Sequence, residues 1–338
     1  MSLLKKSMIF TDIHRAIHHL LNREVVALPT ETVYGLAGLG YDGQAVEHIY
    51  ALKNRPQHNP LIMHYACLED TTTDVVWTPW AQHLAAACWP GPLTLVLSLA
   101  RTSRIPLAAT GGLNSAAIRV PSHPMMQTIL RALPGPLAAP SANLSGQLSP
   151  TTAAHVAKDL DVPILDGGPC IYGLESTIVD GRTWPINILR PGALSVEYIS
   201  TLLLGFQEPP MVSDCALGKR DFITIPSSPG IKVLCPGQLL AHYAPKKPLR
   251  LNATHIEKGE GLLAFGSPLL GADVCVQLSA EGNVSQAAAN LFAALHQLDQ
   301  SPCEAIAVMP IPQTGLGCAI NDRLLRACAA FGPGNMAV

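Results

Sequence analysis

Between an apolar run, Val25 to Leu28, and a stretch of glycines and small side chains stands Pro29-Thr30-Glu31-Thr32-Val33-Tyr34-Gly35. Two hydroxyls, a carboxylate and a phenol sit there with almost no bulk around them, at the kind of strand end where α/β proteins place ligand chemistry. Lys53 and Arg55 lie two positions apart at the end of a helix that begins at Asp42, so they fan out instead of stacking on one face. Cations there complement a helix dipole, but Pro56 and Asn59-Pro60 frame them, which suits a positioned loop. Arg119 interrupts an apolar strand that ends at Pro121. It is either an edge residue with its head in water or a fork of donors for a carboxylate or phosphate. Ser141, Asn143, Ser145 and Ser149, with Gly146, fall between a strand and a helix, where hydroxyls cap the helix or, in number, cradle phosphate. Glu175-Ser176-Thr177 and Arg190-Pro191-Gly192 add a carboxylate, hydroxyls and another guanidinium. No Walker sequence, His-Glu-x-x-His or Gly-x-Ser-x-Gly occurs, which speaks against a P-loop, a zinc protease or a serine hydrolase.

The elements that must position these groups follow α/β grammar. Helices are expected from Thr11 through Asn22, Asp42 through Lys53, Pro124 to Leu133 and Thr151 to Leu160. Strands are expected over Glu24 to Leu28, Leu61 to Tyr65, Leu93 to Leu99, Ala116 to Val120 and Leu137 to Ala139, with short ones at Ile164, Ile178 and Ile188. Prolines and glycines between them predict a twisted mixed sheet more than a regular doubly wound one. From Gly205 to Pro248 no period of 2 or 3.6 is sustained, and the composition is that of a linker. Beyond it, a strand at Gly261 to Phe265, a helix marked by Val284, Ala288, Leu291, Leu295 and Leu298, a strand at Ala305 to Met309 and a helix at Ala319 to Ala330 predict a small β-α-β-α unit.

The 338 residues are enough for two cores, and with 48% hydrophobic and 14% charged residues the chain is globular. A formal net charge of −2 argues against a broad nucleic-acid face. The nine cysteines show neither Cys-x-x-Cys pairs nor metal spacing beside histidines, so reduced thiols are expected. Most of the twelve histidines, the His18-His19 pair included, are expected at the surface. No signal-peptide core or membrane-length apolar run is seen, and the expected location is cytoplasmic, away from membranes.

Taken in order, Pro29 to Gly35, Lys53-Asn54-Arg55-Pro56, Trp89-Pro90-Gly91-Pro92-Leu93-Thr94, Arg119-Val120-Pro121, Pro140 to Gly146, Ser149-Pro150-Thr151, Asp166-Gly167-Gly168, Glu175-Ser176-Thr177 and Ile188 to Gly192 resemble the threonylcarbamoyl-AMP synthase family, built on the YrdC-type domain. Pro236 to Pro245 is similar to the family's connector, and Gly315 to Ile320 with Arg323-Leu324 to the extra domain of its two-domain members. Each block is weakly specific; their ordered conjunction is not.

The resemblance implies an α/β fold, a YrdC-like twisted mixed sheet with a concave, positively lined site, plus a smaller Rossmann-like C-terminal α/β domain. The expected division is 1–205, a connector or lid over 206–247, and 248–338. It implies a nucleotidyltransferase that makes threonylcarbamoyl-AMP and pyrophosphate from L-threonine, bicarbonate and ATP, with a separate tRNA threonylcarbamoyl-transferase machinery downstream. By motif position, threonine would meet Thr32, His64, Arg119, Ala139 and Ser176. ATP would meet Lys53, Arg55, Asn59, Ser115, Ser141, Asn143, Ser149, Arg190 and Tyr243, with Lys53, Arg55, Ser141 and Asn143 catalytic. Ser115 stands where a threonine is more usual and still supplies a hydroxyl. Magnesium is expected with ATP, without an assignable protein ligand. The competing reading is a non-catalytic RNA-binding module using the same basic concavity, with weak tRNA or double-stranded RNA binding. A carbamoyl-transfer module would call for acylphosphatase and zinc-finger segments, which the cysteine pattern does not provide. Three outcomes are expected. Arg119→Ala loses turnover with little change in melting temperature. Serine is a poor substrate. A protein ending after Pro248 keeps most activity while one ending after Gly205 does not.

Overall fold

The computed structural model describes residues 8–204, 206, 223–224, 235–236 and 242–332. Most of the connector, including Gln238 to Ala241 of its motif, lies outside the described residues.

Strands β1 (Ile9–Phe10), β2 (Val26–Leu28), β3 (Gly35–Leu39), β4 (Ile62–His64), β5 (Val75–Val76), β6 (Leu93–Leu99), β7 (Ser115–Arg119), β8 (Leu137–Ala138), β9 (Ile164–Leu165), β10 (Thr177–Asp180), β11 (Ile186–Arg190) and β12 (Ile223–Thr224) form one sheet. Its order is β1-β9-β2-β3-β8-β4-β7-β6-β10-β11-β12, with β5 on β6. Parallel and antiparallel pairs both occur along it, which is the mixed sheet expected. Around it run α1 (Ile13–Leu21), α2 (Gly43–Lys53), α3 (Pro79–Cys88), α4 (Pro124–Ala132), α5 (Ala153–Asp159) and α6 (Val196–Leu203). A second sheet holds β13 (Leu249–Arg250), β14 (Glu260–Phe265), β15 (Cys275–Ser279) and β16 (Ala305–Val308), all parallel in the order β13-β16-β14-β15, packed by α7 (Val284–Gln300) and α8 (Leu316–Ala329). The expected β-α-β-α unit therefore gains β13 and β15.

Local chemistry explains the boundaries. Asp42 takes the amide protons of Gln44 and Ala45 and starts α2. Asn54, left-handed at φ 50°, ends it and turns the chain toward Arg55. Asp12, one residue later than expected, caps α1 through the His14 amide. Arg119 is not at an edge: β7 lies between β4 and β6, and the side chain is buried.

The two sheets are docked, not merely tethered. Val33, Leu148 and Leu174 of the large unit share one apolar cluster with Leu263, Leu291, Phe292 and Leu324 of the small one. Gly173, at φ 65°, comes so close to α7 that a Cβ there would stand 2.2 Å from the Ala289 carbonyl oxygen, so only glycine fits.

Candidate active site

The site grows from the turn at Thr30. Its Oγ1 donates to the Val33 carbonyl at 2.6 Å and accepts from the amides of Thr32 and Val33, which bends the chain and turns Thr32 inward. Tyr34 is a clamp and not a reacting phenol: its hydroxyl donates to the Gly168 carbonyl at 2.8 Å and accepts from the Gly167 amide at 3.1 Å. Burial raises its pKa further.

Arg119 meets this turn from β7. Its Nη1 donates to Thr32 Oγ1 at 3.0 Å and its Nε to the Gly91 carbonyl at 3.2 Å. Its Nη2 lies 2.6 Å from a Glu31 carboxylate oxygen, an ion pair without the angle of a hydrogen bond. Burial alone would raise the Glu31 pKa, but the Arg119 charge beside it overcomes this and holds the carboxyl below its usual value. Opposite Arg119 in the β4–β7 register is His64. Its Nδ1 donates to the Ile62 carbonyl at 3.1 Å, so Nε2 is the bare nitrogen of a neutral ring. Burial, helped by the Arg119 charge, pushes its pKa down to about 3.

The remaining cations are organised differently. The Lys53 ammonium is buried and donates to the Ser141 carbonyl at 2.6 Å and to the Asn143 carbonyl. It therefore braces the serine loop and does not sit as a solvated dipole partner of α2. Burial, then the Arg55 charge, lowers its pKa well below the ordinary lysine value. Arg55 donates to the Asn59 carbonyl (3.0 Å), Asn59 Oδ1 (2.7 Å) and the Pro60 carbonyl (2.8 Å). Arg190, ending β11, donates to the Ser176 carbonyl at 2.8 Å, to Ser176 Oγ at 3.3 Å and to the Pro236 carbonyl at 3.2 Å. Gly192 allows this: a Cβ there would stand 2.4 Å from the Glu175 carbonyl oxygen. Among the described residues no carboxylate forms an ion pair with Lys53, Arg55 or Arg190.

One cavity collects Thr32, Arg55, His64, Arg119, Ala139, Ser141, Ser176, Arg190 and Tyr243 from the expected set, together with Glu175, Pro236 and His242. Lys53, Asn59, Asn143 and Ser149 stand behind its wall. Asn59 orients Arg55, Asn143 braces the Leu144 and Gln147 carbonyls, and Ser149 Oγ donates to Glu175 at 2.5 Å. Ser115 is not brought to the cavity: it starts β7, paired with Ser98, and shares a strand face with Ala117 and Arg119. Glu31, Glu175 and Arg323 were missed as site residues. A signal existed, since a lone carboxylate among apolar residues and a lone arginine on an apolar strand call for each other, and Ile320, Arg323, Leu324 and Ala327 fall on one helical face.

Three histidines, His64, His242 and His296, are buried and His155 is half-buried, while the other eight are exposed or partly exposed, in line with the expectation for most. Burial holds His64, His242 and His296 near a pKa of about 3, and His155, stacked on His296 across the seam at 4.0 Å between centroids, near about 4. The folded protein refuses protons that the unfolded chain takes up. Stability is therefore intact above the unfolded value of about 6.5 and falls as the pH drops below it, until the folded values are reached. Each well-buried histidine contributes a slope of about 1.4 kcal/mol per pH unit. The melting temperature is expected to fall steeply from pH 7 to pH 5; a level profile would remove this reading.

Comparison with known proteins places this geometry. A family model described as telomere recombination matches residues 19–192, and one described as the threonylcarbamoyl-AMP synthase C-terminal domain matches residues 211–329. The chain is similar to the threonylcarbamoyl-AMP synthase of Pyrococcus abyssi, 36% identical over 90% of both chains, and to that of Bacillus subtilis, 36% identical over 94% of this chain and 92% of the other. A crystal structure of P. abyssi Sua5 complexed with L-threonine superposes with a TM-score of 0.82 at 32% identity, over 96% of this chain and 97% of that one. Among the described residues no helix is long and apolar enough to cross a membrane.

Proposed function

The chain belongs to the threonylcarbamoyl-AMP synthase family, and from that premise we infer that it makes L-threonylcarbamoyl-AMP and pyrophosphate from L-threonine, bicarbonate and ATP, for the threonylcarbamoylation of tRNA. The step is a nucleotidyl transfer: the threonine amine is carboxylated by bicarbonate with loss of water, and an oxygen of the resulting carbamate displaces pyrophosphate from the α-phosphorus. A separate transferase then consumes the adenylate.

The observation that carries the reading is charge. Arg55 and Arg190 line the cavity and Lys53 stands behind its wall, each held only by neutral acceptors, beside an Arg119 already balanced by Glu31. Two anions must be brought together for the carbamate to attack a phosphate, and unpaired cations offset their repulsion while fixed donors set the line of attack. Thr32, His64, Arg119, Ala139 and Ser176 suit an amino acid: a guanidinium for carboxylate, a bare His64 nitrogen for a donor, and Ala139 for a methyl. Arg55, Ser141, Arg190 and Tyr243 suit the nucleotide, with Lys53, Asn59, Asn143 and Ser149 holding the frame. Magnesium would come with ATP as the counter-ion of its phosphates. The cavity's carboxylate, Glu175, is paired with Arg323 and Glu31 with Arg119, and among the described residues no cluster of three metal-binding side chains exists. The RNA-binding alternative is not favoured, because Lys53, Arg55, Arg119 and Arg190 are all buried and cannot track a polyanion. Of the connector, the described residues Pro236, His242 and Tyr243 cover the site.

The test is product formation. An AMP derivative and pyrophosphate should require both threonine and bicarbonate; equal formation without either overturns the reading. Serine should be a poor but detectable substrate, because a single methyl group is worth about 1 to 3 kcal/mol of discrimination. Equal kcat/KM for the two amino acids would show that Thr32, His64 and Ala139 do not contact the side chain.

A further inference from the structure

Glu175 is the second buried carboxylate beside the cavity, and both of its oxygens are engaged. Oε1 accepts from Ser149 at 2.5 Å, and Oε2 accepts at 2.8 Å from the Nε of Arg323, which comes from α8 of the small unit. Arg323 also donates to the Pro191 carbonyl at 2.8 Å, next to Arg190, and lies over the Tyr243 ring, 4.8 Å from its centroid. Its side chain is completely buried. Arg190 occupies the other side of Glu175: its guanidinium donates to the carbonyl of the neighbouring Ser176, and its Nε is buried without an acceptor.

We propose that Arg323 is a positioning residue for ATP: by holding Glu175, it leaves the Arg190 guanidinium free of a carboxylate and available to a phosphate. The proposal rests on the adenylate-forming reading above. A buried carboxylate does not stay unpaired; it takes the nearest cation or a proton. Without Arg323 the nearest cation is Arg190, and a guanidinium committed to Glu175 is lost to the substrate. The charges of Arg323 and Arg190 both act on Glu175 and, against the effect of burial, lower its pKa to about 2, so the group is a full negative charge at working pH. Arg119 stands outside this competition, because its pairing with Glu31 does not change when Arg323 is removed. The small unit thereby contributes to the nucleotide half of the site without touching the nucleotide.

The experiment is a double-mutant cycle in the full chain, read by calorimetric titration of ATP and by the KM values for ATP and threonine. Arg323→Met should weaken ATP binding by about tenfold or more while the threonine KM moves less than about twofold. Adding Glu175→Gln, which removes the competing charge at nearly constant shape, should restore ATP affinity to within about threefold of the unaltered protein. A single variant that binds ATP normally overturns the proposal, as does a double variant no better than the single, which is what a packing role gives. Should Arg323→Met alone fail to fold, the double variant decides: with the competing charge gone it should bind ATP within about threefold of the unaltered protein, and a loss of about tenfold or more overturns the proposal. Failure of the functional reading is a separate outcome, visible as absence of adenylate formation in the unaltered protein.

Discussion

Arg119→Ala is expected to lose about a thousandfold or more in kcat/KM and, in the same protein, about 10 °C in melting temperature. The activity loss follows from removing a cavity-lining guanidinium that also holds Thr32 in place. The stability loss follows from Glu31, which is 2% exposed and would be left without its counter-ion; breaking one half of a buried pair typically costs about 3 to 5 kcal/mol. This corrects the expectation of an unchanged melting temperature, which treated the substrate as the only anion Arg119 meets. Pairing the change with Glu31→Gln separates the two effects: the melting temperature should largely recover and the activity should not. Normal turnover in a folded Arg119→Ala protein would remove the residue from the site.

The second large effect concerns the small unit. A protein ending after Pro248 is expected to lose at least about a hundredfold in activity, not to keep most of it, because the ending strips away more than a lid support. Leu174 and Tyr243 are buried against Phe292 and α8, and Glu175 takes its cation from Arg323. Exposing that apolar cluster also favours aggregation, so a milder perturbation accompanies it. Gly173→Val keeps every residue of both units but drives a side chain into the Ala289 backbone and demands a left-handed β-branched residue. It should leave helical content intact and lower activity strongly. A soluble protein ending after Pro248 with full turnover would make the second unit dispensable.

The fold was legible where local chemistry and tertiary packing agree. α2 runs from its Asp42 cap to Lys53, and β6 spans Leu93 to Leu99, both as expected. Two helices escaped. Trp80, Ala81, Leu84, Ala85 and Cys88 do fall on one face of α3, but alanines carry so little hydrophobic contrast that the period is faint. Strand β3, Gly-Leu-Ala-Gly-Leu, is buried along most of its length and so shows no alternation. At the site, the hydroxyls and cations of the motif loops were readable one by one because turns and caps are local. What was not readable is who pairs with whom. Arg323 and Glu175 are 148 residues apart and belong to different units, and only the docked fold makes them neighbours.

The cavity has a volume of only about 40 Å³ with Pro236, His242 and Tyr243 in its wall, whereas pockets that take a drug-sized molecule run about 300 to 1,000 Å³. That is narrow for ATP and threonine together. Were binding to need a wider form, the apparent affinity would be the intrinsic one divided by that form's share of the population. The same wall holds an unstable adenylate away from water after it is made. Timing then becomes the enzyme's control variable. If the wall lifts more slowly than the bonds change, turnover should respond to solvent viscosity and hardly to the nucleophile, and the reactive product should leave only as often as the chain opens.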